Sequence, residues 1–176
     1  CLLSDSIFQN HGMIKTITGN KQAVCVSGRE GIYSFIPDET GEVESVQLFD
    51  RAVSEFTFFD LDRDGNNELI TIEPFHGNSL NIYRNTTKGW EKVYDASLSF
   101  GHGLSSGMLA GTPSIAVGNR SDKASLELFT YTDSFGGIER MCVQEATGTT
   151  KTQFFHHRGT DYLLNANQLK SEAAIY

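Results

Sequence analysis

Apolar and polar residues alternate in short runs along this chain, and the runs recur. Four segments end alike: Gly31-Ile32-Tyr33-Ser34-Phe35, Leu80-Asn81-Ile82-Tyr83, Leu126-Glu127-Leu128-Phe129 and Ala173-Ala174-Ile175-Tyr176. A second apolar run precedes each of them: Ala23-Val24-Cys25-Val26, Leu69-Ile70-Thr71-Ile72, Ile115-Ala116-Val117 and Tyr162-Leu163-Leu164. Alternation of this kind predicts half-buried strands, and no segment sustains the i, i+3, i+4, i+7 spacing of an amphipathic helix. In the first copy the predicted strands are 12–18, 22–27, 31–36 and 43–49. Gly19-Asn20 closes the first hairpin there, with residues that tolerate positive φ. Gly111-Thr112-Pro113 fills the same slot in the third copy.

Four short strands in a unit repeating every about 46 residues predict an all-β chain built of β-propeller blades rather than an ordinary β-sandwich. One four-stranded blade cannot bury both of its faces, and stacking blades around an axis does so. The repeats fall at approximately 6–50, 51–97, 98–145 and 146–176 plus 1–5. The first five residues align with the end of a fourth strand, so they would complete the last blade if the ring closes on itself. Four blades are few for this repeat type. The expectation is therefore part of a seven- or eight-bladed ring, completed by the remaining blades of the same protein or by a second copy.

Composition narrows the partners. The chain has 176 residues, 39% hydrophobic and 20% charged, enough for a buried core, and aromatics at 11% suit strands. A formal net charge of −8 argues against nucleic acid and anionic membrane surfaces. Three cysteines suggest no disulfide framework. Cys25 sits in an apolar run and reads as a buried thiol, whereas Cys1 lacks the polar linker expected behind a lipidated first residue. No membrane span and no N-terminal signal are visible, which leaves a cytoplasmic and a secreted location both open. Asn85-Thr86-Thr87 and Asn119-Arg120-Ser121 are glycosylation sequons that matter only in a eukaryotic secretory protein.

The most specific motif is Phe59-Asp60-Leu61-Asp62-Arg63-Asp64-Gly65-Asn66-Asn67-Glu68-Leu69-Ile70. Short carboxylates on alternate residues of a tight loop suit Ca²⁺, a hard cation that takes six to eight oxygens. An EF-hand is a poor match, because Thr71 stands where that loop needs a glutamate and strands flank it. A metal-free turn held by side-chain-to-backbone hydrogen bonds is the alternative. The motif resembles the FG-GAP or VCBS repeat of integrin-α-like propellers. That resemblance implies a calcium loop between the first two strands of a blade, with Asp60, Asp62, Asp64, Asn66 through its main chain and Glu68 as ligands. Arg63 departs from the family's frequent glycine, and the other three repeats lack the acidic loop.

Histidines and arginines recur at blade-related places. His11 and His102 each precede a glycine at the start of an innermost strand, where side chains can line the axis. His76, Arg29 and Arg120 share the loop between the second and third strands of their own repeats, with Asn167-Gln168 in the fourth. Together His11, His102, His76, Arg29 and Arg120 form a candidate pocket for an anionic or sugar-like ligand. Residues of this kind also serve as turn-stabilising consensus positions. Their spacing matches no metal-binding histidine motif, and no nucleophile elbow or phosphate loop is present, so no catalytic residue is assigned. The expectation is a non-catalytic propeller that binds or scaffolds, presenting loops to a protein or carbohydrate, with a structural Ca²⁺ turn. The alternative is a polysaccharide lyase or sugar dehydratase using the axial histidines and arginines.

Overall fold

The computed structural model describes residues 4–18, 20–121 and 124–176. Cys1, Leu2 and Leu3 of the segment aligned with a fourth strand, and Gly19 of the first hairpin, lie outside them. Among the described residues fifteen strands account for nearly all the regular structure. The first sheet is β1 (Met13–Thr18), β2 (Lys21–Gly28), β3 (Gly31–Pro37) and β4 (Val43–Phe49). The second is β5 (Phe56–Phe59), β6 (Glu68–Glu73), β7 (Ser79–Thr86) and β8 (Gly89–Ser97). The third is β9 (Gly101–Leu109), β10 (Thr112–Asn119), β11 (Ser125–Thr130) and β12 (Glu139–Glu145). The fourth is β13 (Thr149–His157), β14 (Thr160–Asn167) and β15 (Glu172–Ile175). Every sheet is an antiparallel meander in sequence order, and the sheets are arranged as the blades of a four-bladed β-propeller. The only helical feature among the described residues is a three-residue 3₁₀ turn at Phe135–Gly137.

The repeat has a physical meaning at the blade faces. Successive side chains of a strand point to opposite faces, so the pairs Leu69–Tyr83 and Ile115–Phe129 face the preceding blade. The pairs Ile70–Ile82 and Ala116–Leu128 face the following one. Three apolar clusters result, each shared between neighbours. Cys25, Ile32 and Phe49 meet Phe56, Leu69 and Tyr83 between blades 1 and 2. Ile70, Ile82 and Leu80 meet Leu104, Ile115 and Phe129 between blades 2 and 3. Ala116, Leu126 and Leu128 meet Phe154 and Leu163 between blades 3 and 4.

Among the described residues the outer faces of blades 1 and 4 leave part of the same pattern at the surface, although Phe35 on the blade 1 face is 4% exposed. Met13, paired with Val26, is 68% exposed, whereas Phe56 and Leu104 at the equivalent places are 1% and 3% exposed. On blade 4, Phe155 stacks on Tyr162 at the surface and Ile175 is 60% exposed.

Strand bounds follow the sequence expectation closely in the first repeat. The third-repeat hairpin turns one residue earlier than expected: Ala110 and Gly111 take φ of 49° and 77°, while Thr112 and Pro113 already belong to β10. Two consecutive left-handed residues give the twist that a tight hairpin needs. Ser4 and Asp5 form no strand.

Candidate functional site

The strands place two groups of functional side chains at opposite ends of the blades. The acidic turn joins β5 to β6 at one end. The starts of the inner strands and the loops between second and third strands gather at the other.

At that second end the repeat fixes the scaffold. The main-chain N–H of Arg29 donates to Phe8 O (2.9 Å), that of Arg120 to Phe100 O (2.9 Å) and that of Gln168 to Gly148 O (3.0 Å), one equivalent tie in each of blades 1, 3 and 4. Asn119 adds a side-chain clasp: its Oδ1 accepts the Ser99 N–H at 3.2 Å and its Nδ2 donates to Ser125 Oγ at 3.1 Å. Asn167 does the same in blade 4, accepting the Gly148 N–H at 2.9 Å. Asn119 is thus buried with its amide engaged, so its sequon is closed to modification in the folded chain, whereas Asn85 is exposed.

These ties hold His11, His76 and His102 against one another. Their ring centroids are 5.1, 5.0 and 5.3 Å apart, and one ring nitrogen of each lies within 4.8 Å of the others. His11 Nδ1 lies 2.7 Å from Oε1 of the buried Glu55, whose other oxygen is 3.6 Å from Lys151 Nζ of the opposite blade. His76 stacks on Phe75 at 4.3 Å, with Phe100 at 5.4 Å on another side. His102, 8% exposed, receives Arg120 Nη1 on its Nε2 at 3.0 Å, and Arg120 Nη2 donates to Gln168 Oε1 at 2.7 Å. Two ring nitrogens, His76 Nε2 and His102 Nδ1, are buried with no hydrogen-bond partner.

Electrostatics hold His76 and His102 below the ordinary histidine pKa. Burial lowers the pKa of His76, and the charges of His11 and Arg120 lower it further. Burial, then Arg120 and the two other histidines, push His102 down to about 4, with the Thr150 main chain pulling weakly the other way. Arg120 also lines a groove of about 950 Å³ together with Ser99, Glu127, Arg140, Glu145 and Leu169.

Four of the five expected ligand-binding residues therefore meet. Arg29 does not: it is exposed on its loop, and no hydrogen bond or ion pair joins its side chain to the histidines. Glu55, Phe75, Phe100 and Gln168 were not expected. Gln168 carries a weak signal, since it stands at the repeat position of Arg120. Glu55 carries none, because only the approach of blade 2 to blade 1 brings it to His11.

At the acidic turn the structure gathers Asp60, Asp62 and Glu68 within 4.8 Å. Gly65, at φ 92°, makes the reversal that a side chain would resist. Asp60 Oδ2 accepts the Gly65 N–H (3.0 Å), Asp62 Oδ1 that of Asp64 (3.2 Å) and Glu68 Oε2 that of Leu61 (2.9 Å). Asp64 points elsewhere: its Oδ1 accepts from the N–H and the amide of Asn66 at 2.8 and 3.1 Å. Asp60 Oδ1 and Glu68 Oε1 are buried without hydrogen-bond partners. Burial raises the pKa of Glu68, opposed chiefly by the Leu61 N–H. Arg84 of β7 pairs with Asp62 and lies 3.8 Å from Glu68. Arg63 reaches across to Gly111 O of blade 3, and the Gly111 N–H donates to Asp161 of blade 4 at 3.1 Å. The three gathered carboxylates and two orphaned oxygens suit a hard cation, with Asp64 outside that set in this conformation.

Among the described residues no helix is long and apolar enough to cross a membrane. No family model matches the chain, and no curated protein matches it.

Proposed function

We propose that the chain is a non-catalytic β-propeller binding module. Its ligand, a protein or carbohydrate, docks at the end where His11, His76, His102 and Arg120 meet. The observation that carries this reading is the convergence of those four side chains from three blades onto one site, beside a groove that shares Arg120. A guanidinium held in place by Gln168 is suited to a carboxylate or sulfate of an acidic sugar. The FG-GAP/VCBS-like turn serves as a brace at the opposite end. Asp60, Asp62 and Glu68 are the side chains suited to hold Ca²⁺ there, cross-linking the β5–β6 hairpin electrostatically. The apolar outer faces of blades 1 and 4 support the reading that further blades, of the same protein or of a second copy, stack on them.

A polysaccharide lyase or sugar dehydratase draws support from the same convergence, since a neutral imidazole beside an arginine is a competent proton acceptor. One experiment separates the two. Acidic and neutral oligosaccharides are titrated calorimetrically into the full chain and into Arg120→Ala, and the same mixtures are followed by ultraviolet absorbance for an unsaturated elimination product. Saturable binding of acidic sugars, weakened in the variant and with no absorbance change, is the expected outcome. Absorbance growth would transfer the site to the enzyme reading, and absence of binding by any sugar removes the carbohydrate arm.

A further inference from the structure

We propose that His11, His76 and His102 form a three-histidine site for a first-row transition-metal ion of the zinc class on the propeller axis. The proposal deepens the reading of this end as the ligand site and rests on it. Metal and outside ligand can nevertheless be tested apart.

The spacing is the first argument. With Zn–N of about 2.0–2.1 Å and about 1.1 Å from ring nitrogen to ring centre, three imidazoles around a tetrahedral ion have centroids about 5.2 Å apart. The observed separations of 5.0, 5.1 and 5.3 Å form a nearly equilateral triangle at that size.

The second argument is the state of the ring nitrogens. His11 Nδ1 is committed to the buried carboxylate of Glu55, which leaves Nε2 as the lone pair. A carboxylate orienting a ligating histidine in this way is the usual outer partner of a metal site. His76 Nε2 is buried and unpartnered, and His102 Nδ1, in a residue more than nine-tenths buried, has only a weak contact with the Thr150 main chain. Leaving such atoms short of a good partner in a packed site costs stability that a metal ion would return.

The third argument is chemical type. Imidazoles suit zinc, copper and nickel, whereas Ca²⁺ takes oxygen, so this site and the acidic turn call for different ions. Three protein ligands leave a fourth position open, as in sites that bind an exchangeable group. Arg120 stands beside it. When metal occupies His102 Nδ1, the ring proton moves to Nε2, which can no longer accept from Arg120. The guanidinium then turns towards Gln168 and the groove, where it faces an anion bound to the ion.

The test uses the full chain, stripped with a chelator and titrated with Co²⁺ and with Zn²⁺. One equivalent of Co²⁺ with the intense visible absorption of a four-coordinate site, displaced by Zn²⁺, is expected. His11→Ala, His76→Ala and His102→Ala each abolish that spectrum, Glu55→Gln weakens binding by about ten- to hundredfold, and His157→Ala, at an exposed histidine outside the cluster, leaves it unchanged. The wild-type spectrum decides the matter even where a variant fails to fold. A weak six-coordinate spectrum, no uptake by the folded protein, or full uptake by a folded His102→Ala overturns the proposal. Sugar binding that persists in chelator without Co²⁺ uptake sinks the metal and spares the ligand site. Metal uptake without any sugar binding supports the metal and removes the carbohydrate reading.

Discussion

His102 concentrates the chemistry of the axial end in one side chain. Burial and the neighbouring Arg120, His11 and His76 hold its folded pKa to about 4, against an ordinary 6.5. Between those values the unfolded chain binds more protons than the folded one, so stability rises with pH across the window. The contribution is whole above about pH 6.5 and is lost as pH falls towards about 4, on the order of 3 kcal/mol at most. Urea denaturation of the metal-free chain at about pH 7.5 and 4.5 checks this, and His102→Gln is expected to flatten the difference. An equal pH slope in both proteins would assign it elsewhere. The sequence placed His11 and His102 at equivalent strand starts of the first and third repeats and His76 in a loop of the second, so their candidacy was legible. That they touch was not, because they come from three blades, and only the narrow axis brings those blades' ends into contact. Arg29 and Arg120 looked alike for the same reason. They share a main-chain tie but not a partner, since His102 meets Arg120, whereas His11, of Arg29's own blade, meets Glu55 of the next blade.

Among the elements, the β5–β6 hairpin is the one whose role depends most on charge. Its alternation and its Asp-Gly turn were readable in advance, and so were Asp60, Asp62 and Glu68. The partners that decide its charge balance were not, because Arg84 arrives from β7 and Gly111 from the next blade. Arg63, an oddity of the motif in one dimension, is an inter-blade tether in three. Arg84 sits on Asp62 as a built-in counter-cation, on an oxygen that the proposed Ca²⁺ would need. Arg84→Met is therefore expected to lower the melting temperature in chelator, by an amount equivalent to about 1 kcal/mol. The same change should enlarge the further rise produced by Ca²⁺. Differential scanning fluorimetry with Ca²⁺, Mg²⁺ and chelator tests both signs. A Ca²⁺ response that shrinks in Arg84→Met would show that the arginine supports the ion.

At the scale of the whole molecule, the apolar clusters of the described residues lie between sheets, and none of these lies within one. Among the described residues these clusters lie on both faces of blades 2 and 3 and on one face of blades 1 and 4. Native-state hydrogen exchange should show this as a gradient, slowest in β6, β7, β10 and β11, and fastest in β4, β13 and β15. Uniform protection across all four sheets would mean that the outer faces are covered in solution. The repeat, the strand bounds and the all-β class were legible because alternation is local. Which face of each blade meets which neighbour became visible only once the pairs Val24–Phe35, Leu69–Tyr83 and Ile115–Phe129 were seen to share one orientation. Sharing every cluster between neighbours has a consequence for the smallest autonomous piece. A lone sheet of this protein owns no interior, and half of each would-be interior belongs to the next sheet. The least unit that can shelter oil from water is a couple, such as β5 through β12: cutting between β8 and β9 leaves two couples, whereas cutting between β4 and β5 or between β12 and β13 strands one sheet with nothing to fold around.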